Sequence, residues 1–181
     1  DQEPWKKKDD LTRLNTFDGL FKQIISDIPS GSANHVSISE NSAASYSAQA
    51  LSTPDVAYNI LRSMYDQIDP KFYQSIQSGA QPQFLVTRSI YQNYQNYLED
   101  KSLGFTLSEA KDGQTGLEYR GIPIKVRYDW DNNIKSFQDN GTKLHLPHRA
   151  LLTLKENIPV GTLAEGDFES LDSWYEKKET F

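Results

Sequence analysis

The stretch Gln83-Phe84-Leu85-Val86-Thr87-Arg88-Ser89 decides the fold, together with the residues that follow it. Its apolar run at Phe84 to Val86 is short and β-prone, and the Ser89 hydroxyl can cap a helix that begins directly afterwards. We predict that helix from about Ile90 to Glu99, because apolar and aromatic side chains recur there at helical spacing: Ile90, Tyr91, Tyr94, Tyr97 and Leu98. The unit is therefore a strand that runs into an amphipathic helix.

Further strands are predicted on the C-terminal side of this unit. Within Tyr119 to Tyr128, apolar residues alternate with Pro123, Lys125 and Arg127, which indicates a one-sided strand. Pro123 implies that this strand is an edge strand or that the proline lies at its start. The glycines at 113 and 116 predict a turn before it. The remaining predictions are a short helix or loop over Asp129 to Thr142, strands at Arg149 to Leu154 and Ser170 to Tyr175, and a turn at Asn157 to Gly161.

Two amphipathic helices are predicted on the N-terminal side. Apolar residues at three- and four-residue spacing indicate a helix from Thr16 to Ile28, whose stripe is expected to pack on the core, with an assembly contact as the alternative. Thr53-Pro54-Asp55 is a typical helix start and predicts a helix that runs to about Ile68, where Asp69-Pro70 ends it. We predict a short strand at Val36 to Ser39 and a loop from Pro70 to Pro82.

Helices that are segregated from a few non-repeating strands indicate an α+β fold with a small mixed or antiparallel sheet flanked by helices. We expect five or six strands, flanked by the Thr53 helix and the Ser89 helix. Residues 1–49 are predicted to form an N-terminal arm with one amphipathic helix and an extended segment. Residues 50–181 are predicted to form the core, which divides into a helix and loop at 50–83, strands and a helix at 84–161, and a return segment at 162–181.

The composition excludes several classes of protein. The chain has 181 residues, no cysteine and a net charge of −6, so it has no disulfide framework, thiolate nucleophile or cysteine zinc site. The acidic balance argues against a sequence-specific nucleic-acid reader, and Lys6 to Lys8 is the only basic run. No stretch is long and apolar enough to span a membrane, and residues 1–10 are too polar for a signal peptide. Because Met64 is the only methionine, we expect the chain to be a fragment.

Two partial motifs could carry metal chemistry. Asp129, Asp131 and Asn133 match the first ligand positions of a calcium loop, but Ile134 replaces the required glycine and Asn140 stands where the bidentate Glu should be. His145 and His148 bracket a Leu-Pro pair and lack an evident third ligand, so ordinary hydrogen bonds are expected for both histidines. No nucleophile elbow, phosphate-binding loop or dinucleotide fingerprint occurs. We therefore expect no enzyme, and no catalytic, cofactor-binding or metal-binding residues.

The order of these elements resembles the major capsid proteins of tailed bacteriophages with the Hong Kong 97-like fold. Three features carry the resemblance: the strand that ends at Ser89 and enters a helix, the sequence Tyr119-Arg120-Gly121-Ile122-Pro123-Ile124, and the late apolar strand that leads into Asn157 to Gly161. The likeness covers roughly residues 49–180. It implies that Thr53 to Ile68 is similar to the long helix of the peripheral domain, and that Phe84 to Gly161 is similar to much of the axial domain.

The resemblance implies a phage or prophage virion protein that is made in the bacterial host cytoplasm and assembles with itself into capsomers. Its partners would be further copies of the chain and other virion proteins, without membrane or sequence-specific nucleic-acid contacts and without a cofactor. The 12% of aromatic residues, rich in tyrosine, suits such interfaces. The alternative is a secreted or surface α+β binding module for a carbohydrate or protein ligand, which would expose Trp130 or Trp174 as a flat platform.

Overall fold

The computed structural model describes residues 20–31, 33–101, 107–109 and 115–157, and this part of the chain is α+β. Its helices are α1 (Leu20–Asp27), α2 (Tyr46–Gln49), α3 (Val56–Asp66), α4 (Pro70–Gln77), α5 (Arg88–Asp100) and α6 (Tyr128–Phe137). Its strands are β1 (Pro82–Val86), β2 (Leu107–Glu109), β3 (Thr115–Tyr119), β4 (Ile122–Val126) and β5 (Ala150–Leu154). Two short 3-10 helices lie at Ser39–Ser42 and Lys155–Asn157.

The strands form one mixed five-stranded sheet in the order β2-β3-β4-β1-β5. The central pair is parallel, with Phe84 opposite Ile124, because the chain crosses over through α5 between β1 and β4. The other pairings are antiparallel, including Phe84 opposite Leu152 in β5. The predicted small mixed sheet is therefore confirmed.

The core lies between this sheet and the helices α3 and α5. Phe84 and Val86 of β1 are fully buried and lie on one face of the sheet, since alternate residues of a strand share a face. They pack with side chains from α3, α5, β3 and β4: Ala57, Leu61, Ile90, Tyr94, Leu117, Tyr119, Ile122 and Ile124. The expectation that the Thr53 and Ser89 helices flank the sheet is confirmed.

A buried amide joins α3 to α5. Asn93 is 5% exposed, and its carbonyl oxygen accepts a hydrogen bond of 2.8 Å from the backbone N–H of Ala57 in the first turn of α3. Its amide nitrogen donates to the backbone carbonyls of Leu51 and Thr53. The Thr53 hydroxyl was the predicted cap, but the structure places Asp55 at the N-cap without a side-chain bond. The backbone groups at the start of α3 thus find their hydrogen-bond partner in α5. The spacing of apolar residues in the sequence cannot show such a contact.

The structure corrects two predictions in the N-terminal half and bears out a third in part. No residue of α1 is fully buried, but its apolar stripe is half-buried and Phe21 packs on the core residue Trp130, so the predicted packing on the core is partial. The predicted strand at Val36 to Ser39 is wrong, since residues 34–38 pair with no strand and a 3-10 helix begins at Ser39. The predicted loop after Pro70 begins with a helix, because the Asp69 carboxylate caps the Lys71 N–H at 2.7 Å and Pro70 fits the first helical turn.

Two predictions around the sheet are corrected as well. The single strand predicted from Tyr119 to Tyr128 is a hairpin that turns at Arg120-Gly121, where both residues have positive φ angles of 51° and 79°. Pro123 lies near the start of β4, as one of its two readings predicted, but β4 is an interior strand and not an edge. The short helix that was one of the two predictions for Asp129 to Thr142 is confirmed as α6.

Several predictions fall on residues outside those that the structure describes. They are the arm at residues 1–15, the cap at Thr16, the turn at Gly113, the strand at Ser170 to Tyr175 and the extended piece after Asn157. The predicted division into residues 1–49 and 50–181 stays a prediction.

Candidate functional site

The structure places His148, a candidate metal ligand for which ordinary hydrogen bonds are expected, against a serine. His148 is 6% exposed, and its Nδ1 lies 2.7 Å from the Oγ of Ser89, the second residue of α5. Its Nε2 lies 2.6 Å from the backbone carbonyl oxygen of Gln49. Because a carbonyl can only accept, Nε2 carries the proton, and Nδ1 accepts from the serine hydroxyl. Burial lowers the pKa of His148 from its ordinary value, so the imidazole is neutral near pH 7.

Two amide side chains connect the same region to residues 41–49. Asn41 exchanges two hydrogen bonds with the backbone of His148, at 2.8 and 2.9 Å. Gln49 does the same with the backbone of Leu144, at 2.7 and 3.0 Å. Each amide pairs with a peptide group as a neighbouring strand would. The His148 contacts therefore hold a connecting segment onto the sheet.

The Ser89–His148 pair resembles the beginning of a catalytic triad, but its geometry favours a structural role. In a triad the histidine bonds to the serine through one nitrogen and to an orienting acid through the other. Here the second nitrogen bonds to the Gln49 carbonyl, and burial opposes the positive charge that a general base must acquire. Two shallow clefts, of about 670 and 270 Å³, lie beside Gly79 and Pro123 and include neither residue.

The partial calcium motif is part of a helix and not of a loop. Asp129 and Asp131 lie in the first turn of α6. The Asp129 carboxylate accepts two hydrogen bonds from the Arg127 guanidinium, and the Asp131 carboxylate accepts one of 3.0 Å from the Arg88 backbone N–H. Within the described ranges, no group of three or more His, Asp or Glu side chains is arranged to hold a metal ion. These carboxylates therefore bind an arginine side chain and the first backbone N–H of α5, and they do not form a metal site.

Trp130 does not form the flat, exposed platform that a sugar-binding site would need. It is 9% exposed, and the Phe21 ring of α1 packs edge-on against it at 4.7 Å between centroids. The Arg127 guanidinium lies 6.0 Å from the same ring. Trp174, the other candidate for this role, lies outside the described residues.

A cluster of tyrosines joins α3, α5 and the β3–β4 hairpin. Tyr58 stacks on Tyr97 at 4.5 Å, and Tyr119 makes edge contacts at 6.0 to 6.2 Å with Tyr58, Tyr65, Phe84 and Tyr94. The Tyr94 hydroxyl donates to the Glu118 carbonyl at 3.2 Å, and burial raises the pKa of Tyr94 to about 12. The buried Tyr119 hydroxyl has no hydrogen-bond partner among the described residues. The cluster is a packed part of the core.

Arg120 covers the outer end of this cluster. Its guanidinium lies 4.7 Å from the centre of the Tyr65 ring, and it pairs with the Asp66 carboxylate at 3.7 Å. Tyr73 of α4 meets the same Tyr65 ring edge-on and is 40% exposed. An arginine stacked on a partly exposed tyrosine is typical of the residues enriched at interface centres, because such side chains offer large contact areas.

A second arginine, Arg149, lies where the chain enters β5. Its Nε donates to the Leu146 carbonyl at 2.9 Å, and its Nη2 donates to the His145 carbonyl at 3.1 Å and to the Gln138 side chain. The Phe21 ring lies 5.0 Å below the guanidinium. No sequence pattern marked Arg149, since it precedes an apolar strand without a recognisable motif. Burial lowers the pKa of Arg149 from its ordinary value, yet an arginine stays charged at physiological pH.

The comparisons with known proteins give no family. A scan against protein-family models found no match, and neither the curated proteins nor the solved structures include a similar protein that the searches detected. Among the described residues, no helix has the length and apolar content to cross a membrane.

Proposed function

We propose that this chain is part of a major capsid subunit of a tailed phage or prophage, with a Hong Kong 97-like fold, and that it acts by assembling with itself. The observation that carries the proposal is the placement of the elements on which the resemblance rests. The strand before Ser89 is β1 in the interior of the sheet, Tyr119 to Ile124 is the hairpin into β4, and the late apolar strand is β5 beside β1.

The surface chemistry supports an assembly role. Exposed or partly exposed aromatic and arginine side chains lie on several elements, among them Tyr46, Tyr73 and Arg120. Shell subunits contact several neighbours at once and need such anchors on more than one side. The net charge of −6 is compatible with a container for nucleic acid, which need not grip phosphates. Virion localisation and contacts with other virion proteins belong to the same proposal.

Self-assembly is tested directly by native mass spectrometry and negative-stain electron microscopy of the purified chain and of the full-length gene product. We expect ring-shaped capsomers or shells from the full-length product. A compact monomer at millimolar concentration, with no particles by microscopy, would overturn the proposal. Addition of dextran or nucleic acid should leave the oligomer distribution unchanged, since neither is a proposed ligand.

A further inference from the structure

The turn that contains Leu146 and Arg149 has an unusual backbone. Leu146 has a φ of 46°, in the left-handed region, although it is not glycine and precedes Pro147. This conformation costs a leucine about 1 kcal/mol or more, and the residue before a proline is normally extended. The turn directs the Leu146 carbonyl to the Arg149 Nε and leaves the side chain 36% exposed. Strain that holds an apolar side chain at the surface suggests a function for that side chain.

Among the residues that the structure describes, the guanidinium in this turn has no counter-charge. All its hydrogen bonds go to uncharged oxygens, namely the carbonyls of residues 145 and 146 and the side chain of Gln138. The Nη1 atom donates to nothing in the described part of the chain, and no carboxylate there forms an ion pair with Arg149. Partly buried charges are normally paired, because carbonyl dipoles replace their hydration incompletely. The site is therefore complementary to a carboxylate.

One apolar side chain packs on the arginine, and two others are exposed on the elements that form this contact. Phe21 of α1 packs beneath the guanidinium, and Ile25, one helical turn further along α1, is 53% exposed. The exposed Leu146 lies three residues before Arg149, and its backbone carbonyl accepts a hydrogen bond from the Arg149 Nε. An unpaired arginine next to exposed apolar groups is the arrangement found at the centre of protein interfaces, where the apolar groups exclude water from the charged contact.

We propose that the Leu146–Arg149 turn, with the exposed side of α1, binds an acidic side chain of a second copy of this chain. The inference rests on the proposed self-assembly. A second copy fits by charge, since the chain carries 25 acidic against 19 basic residues and so offers a carboxylate more often than a cation. The carboxylate would accept from Nη1 of Arg149, and Leu146 and Ile25 would pack around the contact.

The decisive variant is Leu146→Asn. Asparagine tolerates the left-handed conformation better than leucine, and the Leu146 side chain makes none of the turn's hydrogen bonds, so this variant is expected to fold with an unchanged or higher Tm. Sedimentation velocity should show self-association weakened at least about tenfold. Association of the wild type should weaken between 50 and 500 mM NaCl, and this salt dependence should be smaller in Arg149→Gln, with circular dichroism as the check on folding.

The matched control is Tyr128→Ser, which removes a large side chain that is 62% exposed, the highest value for such a residue in the described part of the chain, and that lies outside this turn. It should leave association unchanged. Association that is equally strong in Leu146→Asn and in the wild type would overturn the inference and leave the proposed function standing. Equal weakening by both variants would also overturn it, because the effect would then come from exposed apolar surface in general. A wild type that stays monomeric would overturn the proposed function itself.

Discussion

The helices α3 and α1 have the same kind of sequence pattern but different surroundings. α3 buries Ala57, Ile60 and Leu61 against the sheet and α5, and a buried amide from α5 fixes its first turn. α1 buries none of its residues and contacts the rest of the chain through Phe21, which packs on Trp130 and Arg149. Helical periodicity therefore reports that one side of a helix is apolar, but it does not say what covers that side.

The largest expected effect on the free energy of unfolding is in α3, the helix that is packed in the core. Leu61→Ala should lower the free energy of unfolding by about 2–5 kcal/mol, because the fully buried side chain leaves a cavity between α3 and β1. The same kind of truncation in α1, Ile25→Ala, should cost less than about 0.5 kcal/mol in the monomer, since that side chain is 53% exposed. Urea denaturation measures both values. Similar losses for the two variants would show that α1 packs as tightly as α3.

The contact between α3 and α5 can be broken separately. Asn93→Ala removes the acceptor of the Ala57 N–H and the donor for the Leu51 and Thr53 carbonyls. We expect a loss of about 2–3 kcal/mol, because these backbone groups stay buried without partners. Asn96→Ala, an exposed position on the same helix, is the control and should cost only a few tenths of a kcal/mol. If Asn93→Ala were as mild as the control, water would be able to satisfy the start of α3.

His148 should make stability depend on pH. Its pKa in the folded state lies below the ordinary value near 6.5, mainly through burial. As the pH falls below about 6.5, His148 therefore binds a proton in the unfolded chain but stays neutral in the folded chain. The free energy of unfolding is highest above that pH and declines below it. Thermal melts from pH 7.5 to 5 should show a fall in Tm that is smaller in His148→Gln. The same pH profile in both proteins would assign the decline to other groups.

The smallest expected effect concerns the tyrosine cluster. Tyr119→Phe should raise the free energy of unfolding by about 1 kcal/mol, since it removes a buried hydroxyl that has no partner in the described residues. Tyr94→Phe should instead lower it by about 1 kcal/mol, because that hydroxyl donates to the Glu118 carbonyl. Chemical denaturation of the two variants measures the difference in sign. Destabilisation by Tyr119→Phe would show that water bonds to this hydroxyl.

The sequence by itself determined the α+β class, the strand-to-helix unit at Phe84 to Ser89, and the helix after Thr53. These features depend on proline and on the local spacing of apolar residues, which act over a few neighbouring residues, whereas the predicted caps Thr53 and Ser89 are not the N-caps of α3 and α5. It also predicted ordinary hydrogen bonds for His148, and the structure shows them to Ser89 and Gln49. The helix after Pro70 was missed, although the capping carboxylate of Asp69 before a proline is a local signal for one.

Only the tertiary structure decided which amphipathic side is covered, where the hairpin turns, and which arginine has a counter-charge. Nothing in the neighbouring sequence distinguishes Arg120 from Arg149. In the structure, Arg120 pairs with the Asp66 carboxylate, whereas Arg149 bonds only to uncharged oxygens among the described residues. Such partners are far apart in the sequence, as in the bond between Asn93 and Ala57. Local propensity cannot specify these contacts, because they exist only once the sheet and its helices have come together.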